Sequence, residues 1–327
     1  MRIALLSNPS SGRGRHSAAD EVARRVLSEA GHEVLHVRGS SYEQARHAGS
    51  ALLEDGSSHG VEALVVVGGD GMVHLGADIV ATTGVPLGVV ATGTGNDIAR
   101  HFGLPSRDAA ASAHIINQAL SGDGAVIATD AIYASRPDGT LLAPQQRWSL
   151  AVVSAGLDAA VNARANTLTW PAREGRYVRA FTAELAALAP YGYRVTTDEG
   201  TWEGPALLLA VANTRYIGGG MDLAPQADPA DGLLEILRLD PVGRPHLVSL
   251  FSRLFKGTHL TDSAVHLERS RVVTIEALDE RTGRDRGLRP PPHPFADGEP
   301  LAELPLRLEA VPDAVRLLLA AQGRSAP

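Results

Sequence analysis

The sequence predicts an α/β N-terminal domain with an open parallel sheet and Gly-rich phosphate-binding turns, plus a β-sandwich-like C-terminal domain. Three observations predict it. Over residues 1–122, short apolar runs alternate with amphipathic stretches, the pattern of strands joined by crossover helices. Gly-rich turns directly follow three of those apolar runs, and open parallel sheets bind ligands beyond the carboxyl ends of their strands. From about residue 123 short strands dominate and few helices are evident, which suits an antiparallel sandwich or barrel-like domain.

The elements follow in order. Residues 2–8 read as a buried strand ending in Pro9-Ser10-Ser11-Gly12-Arg13-Gly14. A helix over about Ser17–Ala30 places Val22, Val26 and Leu27 on one face and stops at Gly31. A strand (Glu33–Val37), a helix (about Tyr42–Leu53) and a strong buried strand (Ala63–Val67) come next. Gly68-Gly69-Asp70-Gly71 then opens a helix through Val80. The strand Leu87–Ala91 runs into Thr92-Gly93-Thr94-Gly95-Asn96-Asp97 and a further helix. In the second half, strands are predicted at Ala125–Tyr133, Trp148–Ser154, Tyr193–Thr197, Gly204–Val211, Gly232–Arg238 and Arg271–Ala277. Helices are predicted at about Arg173–Ala189 and His246–Leu254. Asp279–Pro294, with four arginines and four prolines, reads as an exposed loop.

Composition narrows the chemistry. The 327 residues include no cysteine, which removes disulfides, thiolate nucleophiles, Cys-ligated zinc and iron–sulfur clusters. Among 30 lysines and arginines only Lys256 is a lysine, and no Gly-rich loop of the Walker type precedes it. Phosphates must therefore be held by backbone amides and arginines. A formal charge of −7 argues against a nucleic-acid partner. No apolar run reaches 18 residues, so a soluble, cytoplasmic protein is expected.

Gly68–Gly71 is the most informative turn. Glycines after a strand let the backbone approach an anion, and the following helix offers unpaired N–H groups. A carboxylate there repels phosphate unless it holds a metal or orients a hydroxyl, so Asp70 implies Mg²⁺ or proton chemistry. Gly93–Asp97 repeats this logic with Thr94 and Asp97, although Asn96 or Asp97 also reads as a plain helix cap. His32-Glu33-Val34-Leu35-His36 matches a zinc-protease motif, but that motif works only on a helix, and these residues fit a strand. Pro225–Leu233 reads either as a hairpin with an Asp-Gly turn or as an oxygen-ligand site for a hard cation built on Asp231 and backbone carbonyls. On spacing alone, Asp297-Gly298-Glu299 is a turn.

Together these pieces resemble the diacylglycerol kinase catalytic family, especially the bacterial soluble lipid kinases, with sphingosine and ceramide kinases more distant. The resemblance rests on Asn8–Gly12, Gly68–Gly71, Gly93–Asp97, Gly218-Gly219-Gly220, Asp228–Leu233, Lys256-Gly257-Thr258-His259 and Asp297-Gly298-Glu299, in the family's order. It implies phosphoryl transfer from ATP with Mg²⁺ to a lipid alcohol, by default diacylglycerol. Residues 1–122, completed by about 306–327, would bind the nucleotide, and 123–305 would bind the lipid. Asp297 would be the catalytic base, and Asp70 and Asp97 would organise Mg²⁺. The implied nucleotide contacts are Asn8, Pro9, Ser10, Ser11 and Gly12, Ser41 (or Ser40), Gly68, Gly69, Asp70, Gly71, Met72, Val73 and His74, then Thr94, Asn96, Asp97 and Glu299. A structural metal would use Asp228, Asp231 and Leu233. The family's GGDGT-x-N pattern is departed from at Met72 and His74, which replace a hydroxyl and an amide. An NAD-kinase-like phosphotransferase and a non-catalytic nucleotide or lipid binder are the alternatives. Transient contact with a membrane surface, through a face bearing Leu247, Leu250, Phe251 and Leu254, and a homodimer are also open.

Overall fold

The computed structural model describes residues 1–7, 15–39, 41–54, 60–171, 174–278 and 287–321. The turn Asn8–Gly14, Ser40 and residues 279–286 of the arginine- and proline-bearing loop lie outside them.

Four strands, β1 (Arg2–Ser7), β2 (Glu33–Arg38), β3 (Ala63–Gly68) and β4 (Leu87–Ala91), form a parallel sheet in the order β2-β1-β3-β4. Their apolar runs are continuous because helices cover both faces. Ile3, Leu5 and Val65 pack with Ala23 and Leu27 of α1 (Arg15–Glu29). Ala4, Leu6 and Leu64 face the other way, in one cluster with Ala45 of α2 (Tyr42–Glu54) and Val73 and Leu75 of α3 (Asp70–Val80). A short α4 (Asp97–His101) follows the second glycine turn, and α5 (Ala109–Ser121) returns along the α1 side, burying Ile116. The strand period of two and the helix period of 3.6 thus resolve the first half as predicted.

The second half begins with β5 (Ala125–Ser135), β6 (Trp148–Ser149) and β7 (Val152–Ser154), then α6 (Leu157–Thr167) and α7 (Glu174–Ala186). β8 (Tyr191–Thr197), β9 (Gly200–Ala206) and β10 (Leu208–Ala212) lead to the small hairpin β11 (Tyr216–Ile217) and β12 (Met221–Asp222). β13 (Leu234–Leu239), α8 (Arg244–Leu254), β14 (Val265–Ser270), β15 (Val272–Ala277), β16 (Phe295–Ala296), β17 (Glu299–Pro300) and β18 (Leu306–Leu319) complete the fold. A six-stranded sheet runs β14-β13-β10-β7-β16-β17. It packs on β15, β8 and the first part of β18 through Val153, Val211, Ile236, Tyr193, Ile275 and Leu308.

β18 joins the two halves. It pairs antiparallel with β5 from Arg307↔Ser135 to Leu319↔Ala125, meets β4 in parallel at Leu317↔Leu87, and pairs with β15 near its start. The sheet order β2-β1-β3-β4-β18-β15-β8-β9 is therefore continuous across both halves.

Two single strands expected from sequence are each broken. Trp148–Ser154 divides into β6 and β7, which belong to different sheets. Gly204–Val211 divides at Leu207 into β9 and β10, again on different sheets. An apolar run carries no mark of where a strand changes sheet. α6 was not anticipated, because Leu157–Thr167 has no apolar stripe and packs through Leu157, Ala159 and Ala165, with Val161 partly buried beside them. The zinc-protease pattern is excluded. His32 bonds Asn117 (3.0 Å), while His36 lies on β2 and bonds Ser7 (3.0 Å).

Candidate active site

Two glycine turns meet at the carboxyl ends of β3 and β4. A Cβ on Gly93 would lie 2.4 Å from Gly69 Cα, so only glycine lets these backbones touch. The contact is held by the Thr92 N–H donating to Gly68 C=O (2.8 Å). It brings Asp70, at the start of α3, toward Asp97, at the start of α4, and the Ile98 N–H donates to Asp70 Oδ1 (3.2 Å). Asp97 Oδ2 accepts from Gly219 N–H (2.8 Å), in a turn where Gly218, Gly219 and Gly220 all have positive φ. Burial, then the Asp97 charge, pushes the Asp70 pKa up to about 6, and burial raises Asp97 as well.

Asp97 Oδ1 is buried and has no hydrogen-bond partner. An orphaned carboxylate oxygen beside a second carboxylate of raised pKa suits a divalent cation. Among the described residues no three His, Cys, Asp or Glu side chains form a metal-holding group, so an ion here would need oxygens from a bound ligand, such as phosphates, as Mg²⁺ commonly does.

A third carboxylate, Asp297, is close enough for its charge to act on Asp70. It occupies the two-residue turn between β16 and β17 with Gly298, both at positive φ, as Asp-Gly hairpin turns require. The turn reading from sequence was therefore right. The Asp297 side chain is 0% exposed. Leu150 N–H donates to its Oδ2, and Ala151 and Val152 N–H donate to its Oδ1, each at 2.9 Å. This is why the predicted strand 148–154 breaks: its amides turn from a sheet ladder toward a carboxylate. The fourth donor is His74 on α3, with Nδ1 3.0 Å from Asp297 Oδ2.

Burial works to raise the Asp297 pKa, but the His74 hydrogen bond and charge and the Val152 N–H win, holding it below the usual carboxylate range. Burial works to lower the His74 pKa, but Asp297, with Asp78 and Glu299 behind it, raises it. Glu299 lies against Gly71, whose added Cβ would sit 2.8 Å from Glu299 Oε1.

The remaining expected residues divide. Thr94 is exposed beside the glycine turns and free to meet a phosphate. Met72 and Val73 are buried in the core, so only their backbone can face a ligand. Asn96 is buried, and its Nδ2 donates to Gly93 C=O (3.0 Å) and Ser106 Oγ (2.7 Å), which makes it a lock for the turn. Exposed Ser41 accepts the Gln44 N–H (3.2 Å) and so caps the start of α2. Asn8, Pro9, Ser10, Ser11 and Gly12 lie outside the described residues.

The Asp228–Leu233 loop is stitched to β5. Pro229 C=O accepts the Asp130 N–H (2.6 Å), and Asp130 Oδ2 accepts the Gly232 N–H (2.7 Å). Asp231 Oδ1 accepts the Leu233 N–H (2.9 Å), while its Oδ2 pairs with Arg269, which also bonds buried Glu235 (3.0 Å). The carboxylate expected to anchor a structural ion is thus already neutralised by a guanidinium, and its fit to a cation is poor. Spacing gave no sign of Asp130, Arg269 or Tyr42, whose buried hydroxyl lacks a partner near His74.

Comparison with known proteins gives a consistent result. Residues 2–127 match the diacylglycerol kinase catalytic domain, and residues 151–319 match the YegS C-terminal NAD kinase beta sandwich-like domain. The chain is 35% identical over 324 residues to a diacylglycerol kinase of Mycobacterium tuberculosis (strain ATCC 25618 / H37Rv), covering 98% of this chain and 96% of that one. It is 30% identical over 270 residues to a Stenotrophomonas maltophilia (strain K279a) protein named "Probable lipid kinase YegS-like", covering 80% of each. A diacylglycerol kinase structure from Bacillus anthracis str. Sterne superposes with a TM-score of 0.71 at 20% identity, covering 97% of this chain and 96% of that one. Yeast NADH kinase, complexed with NADH, gives 0.54 at 10% identity, covering 99% and 84%. These two structures share the fold.

Proposed function

Because the chain belongs to the diacylglycerol kinase family, whose members are phosphotransferases with an alcohol acceptor, we propose that it transfers the γ-phosphate of MgATP to a lipid hydroxyl, that of diacylglycerol first. The observation that carries this reading is the convergence of three buried carboxylates from separate segments: Asp70, Asp97 and Asp297. Asp70 and Asp97 would hold Mg²⁺, which when bound supplies positive charge to the phosphates. The backbone of Gly68–Gly71 and the uncapped start of α3 would meet the phosphates, with Thr94 beside them. Asp297, whose charge acts on Asp70 and which is bonded to His74, would receive the acceptor's proton. Little covalent work is required of the protein, because phosphoryl transfer depends mainly on positioning and charge.

The lipid would be taken from a membrane surface. Among the described residues no helix is long and apolar enough to cross a bilayer. Leu247 and Leu250 of α8 are core residues, so that part of the face expected to bind lipid is spent on packing. What stays exposed is a patch of Trp170, Tyr177, Val178 and Phe255, joined where Phe181 of α7 stacks on Phe251 of α8. Arg179 and Lys256 are exposed within it, which suits an anionic lipid surface.

The test is transfer of radiolabelled phosphate from ATP to lipid alcohols in mixed micelles, with diacylglycerol, ceramide, a sphingoid base and NAD as separate acceptors. Labelled phosphatidic acid from diacylglycerol is the expected product. Labelled NADP with no labelled lipid would transfer the activity to the NAD-kinase class.

A further inference from the structure

A bound nucleotide would bring several negative charges to the glycine turns, and backbone N–H groups offset them only in part. Lys256, the single lysine of the chain, lies beyond the end of α8 in the exposed aromatic patch. An arginine must therefore supply the charge. Arg46 and Arg215 are already paired, with Asp78 (2.7 Å) and Asp222 (2.6 Å). Arg100 packs against Gly220 and Tyr216, and its charge acts on Asp97. That leaves Arg107. Its Nε donates to Gly93 C=O at 3.4 Å, a long bond that keeps the guanidinium beside the second glycine turn. Gly93 is the residue that touches Gly69 of the first turn, and exposed Thr94 follows it. The Arg107 side chain is exposed and makes no ion pair with the described residues.

The backbone supplies a second, independent sign. Arg107 has a φ of 63°, in the left-handed region, which strains a residue with a Cβ and suits glycine. Both neighbours are pinned. Ser106 bridges to Ala91 at the end of β4 and accepts from Asn96 Nδ2 (2.7 Å), and Asp108 caps α5 by accepting the Ala111 N–H (2.9 Å). Between them the Arg107 N–H donates to Ala91 C=O (2.7 Å), so the chain has to turn at this residue. Five non-glycine residues among those described have positive φ, and three of them, Asn96, Arg107 and Asp297, lie at the site. Strained backbone gathered at a site points to side chains in use. An arginine where glycine would relax the turn is such a case.

We propose that Arg107 binds the phosphate chain of the nucleotide, with Thr94 beside it, and takes the part that a lysine plays in P-loop proteins. The role rests on the ATP-dependent reading above. The planar guanidinium, already oriented by Gly93 C=O, loses little freedom on meeting phosphate oxygens. Because the contact is made both with bound ATP and during transfer, its loss should raise KM for ATP more than it lowers kcat.

The test is calorimetric titration of MgADP into wild type, Arg107→Gly and Arg107→Gln, with the melting of each protein measured alone. Glycine removes the guanidinium and relieves the turn. R107G should therefore melt at or above wild type, while its Kd for MgADP rises on the order of 10-fold or more. R107Q leaves the turn as it is and removes only the charge, so its Kd should rise likewise. A Kd within about twofold of wild type in either variant overturns the role. Phosphatidylglycerol vesicles separate the two sources of phosphate. Both variants should float with them as wild type does. Lost flotation with unchanged MgADP affinity would assign the guanidinium to lipid headgroups and overturn the proposal. Wild type that binds MgADP through Arg107 but phosphorylates no lipid alcohol sinks the kinase reading and leaves this site standing. Wild type that binds no MgADP sinks both.

Discussion

Asp70 shows how a single side chain sets function against stability. Burial and the Asp97 charge raise its pKa from 3.8 to about 6 in the folded chain, so the fold holds that proton more tightly than the unfolded chain does. Below about pH 4 both states are protonated and the residue is neutral in its effect. As pH rises toward 6 and beyond, the fold must carry a poorly solvated charge and stability is lost, on the order of 2–3 kcal/mol at most. In Mg²⁺-free buffer, Asp70→Asn should therefore melt higher than wild type at pH 8 and equally at pH 4, while losing kinase activity. Equal melting at pH 8 would show that the carboxylate ionises in the fold without penalty. Asp70 was legible in the sequence because a carboxylate between glycines at a strand end has few structural uses. His74 was legible only as a departure from a pattern, since its partner lies 223 residues away.

At the level of elements, spacing predicts where most strands and helices lie, but it misses α6 and misses where strands change sheets. Leu150 and Ala151 look like the middle of an apolar strand, yet their amides serve Asp297. Nothing local marks that, because the carboxylate that captures them arrives from β16. The Asp228–Leu233 loop is a second case. Its carboxylates suggested an ion, but Arg269, opposite Glu235 in the β13–β14 register, reaches Asp231. We expect wild-type melting to be indifferent to Mg²⁺ or EDTA at this loop. Arg269→Gln should lower the melting temperature, by about 1–2 kcal/mol of stability after allowing for the guanidinium's partial exposure, and Mg²⁺ should restore part of it. A wild-type melting rise with Mg²⁺ that Asp231→Ala abolishes would instead place an ion there.

For the whole molecule, membrane contact through the exposed patch on α7 and α8, as proposed, would give the kinase a direction on a surface. Phe255→Asp, at a position 53% exposed, should leave melting and turnover of a short-chain soluble acceptor near wild type. It should weaken flotation with vesicles containing phosphatidylglycerol, where wild type floats. Equal flotation of the two proteins would remove the patch from consideration. The negative total charge hid this patch in the sequence, because local basicity beside aromatic side chains emerges only once the helices are side by side.

β18 also has a consequence for how this chain is made. Among the described residues it is the last strand in sequence, and it lies between β4 and β15. The two cores cannot mature one after the other as the chain leaves the ribosome, since each waits for the same late segment. Until Leu306–Leu319 emerges, the edge of β4 that meets Leu317 and the apolar faces meant for Leu308 and Leu318 remain uncovered. Early-formed parts of this protein are thus exposed to mispairing during synthesis, and the finished molecule loses both halves together when that one strand peels away.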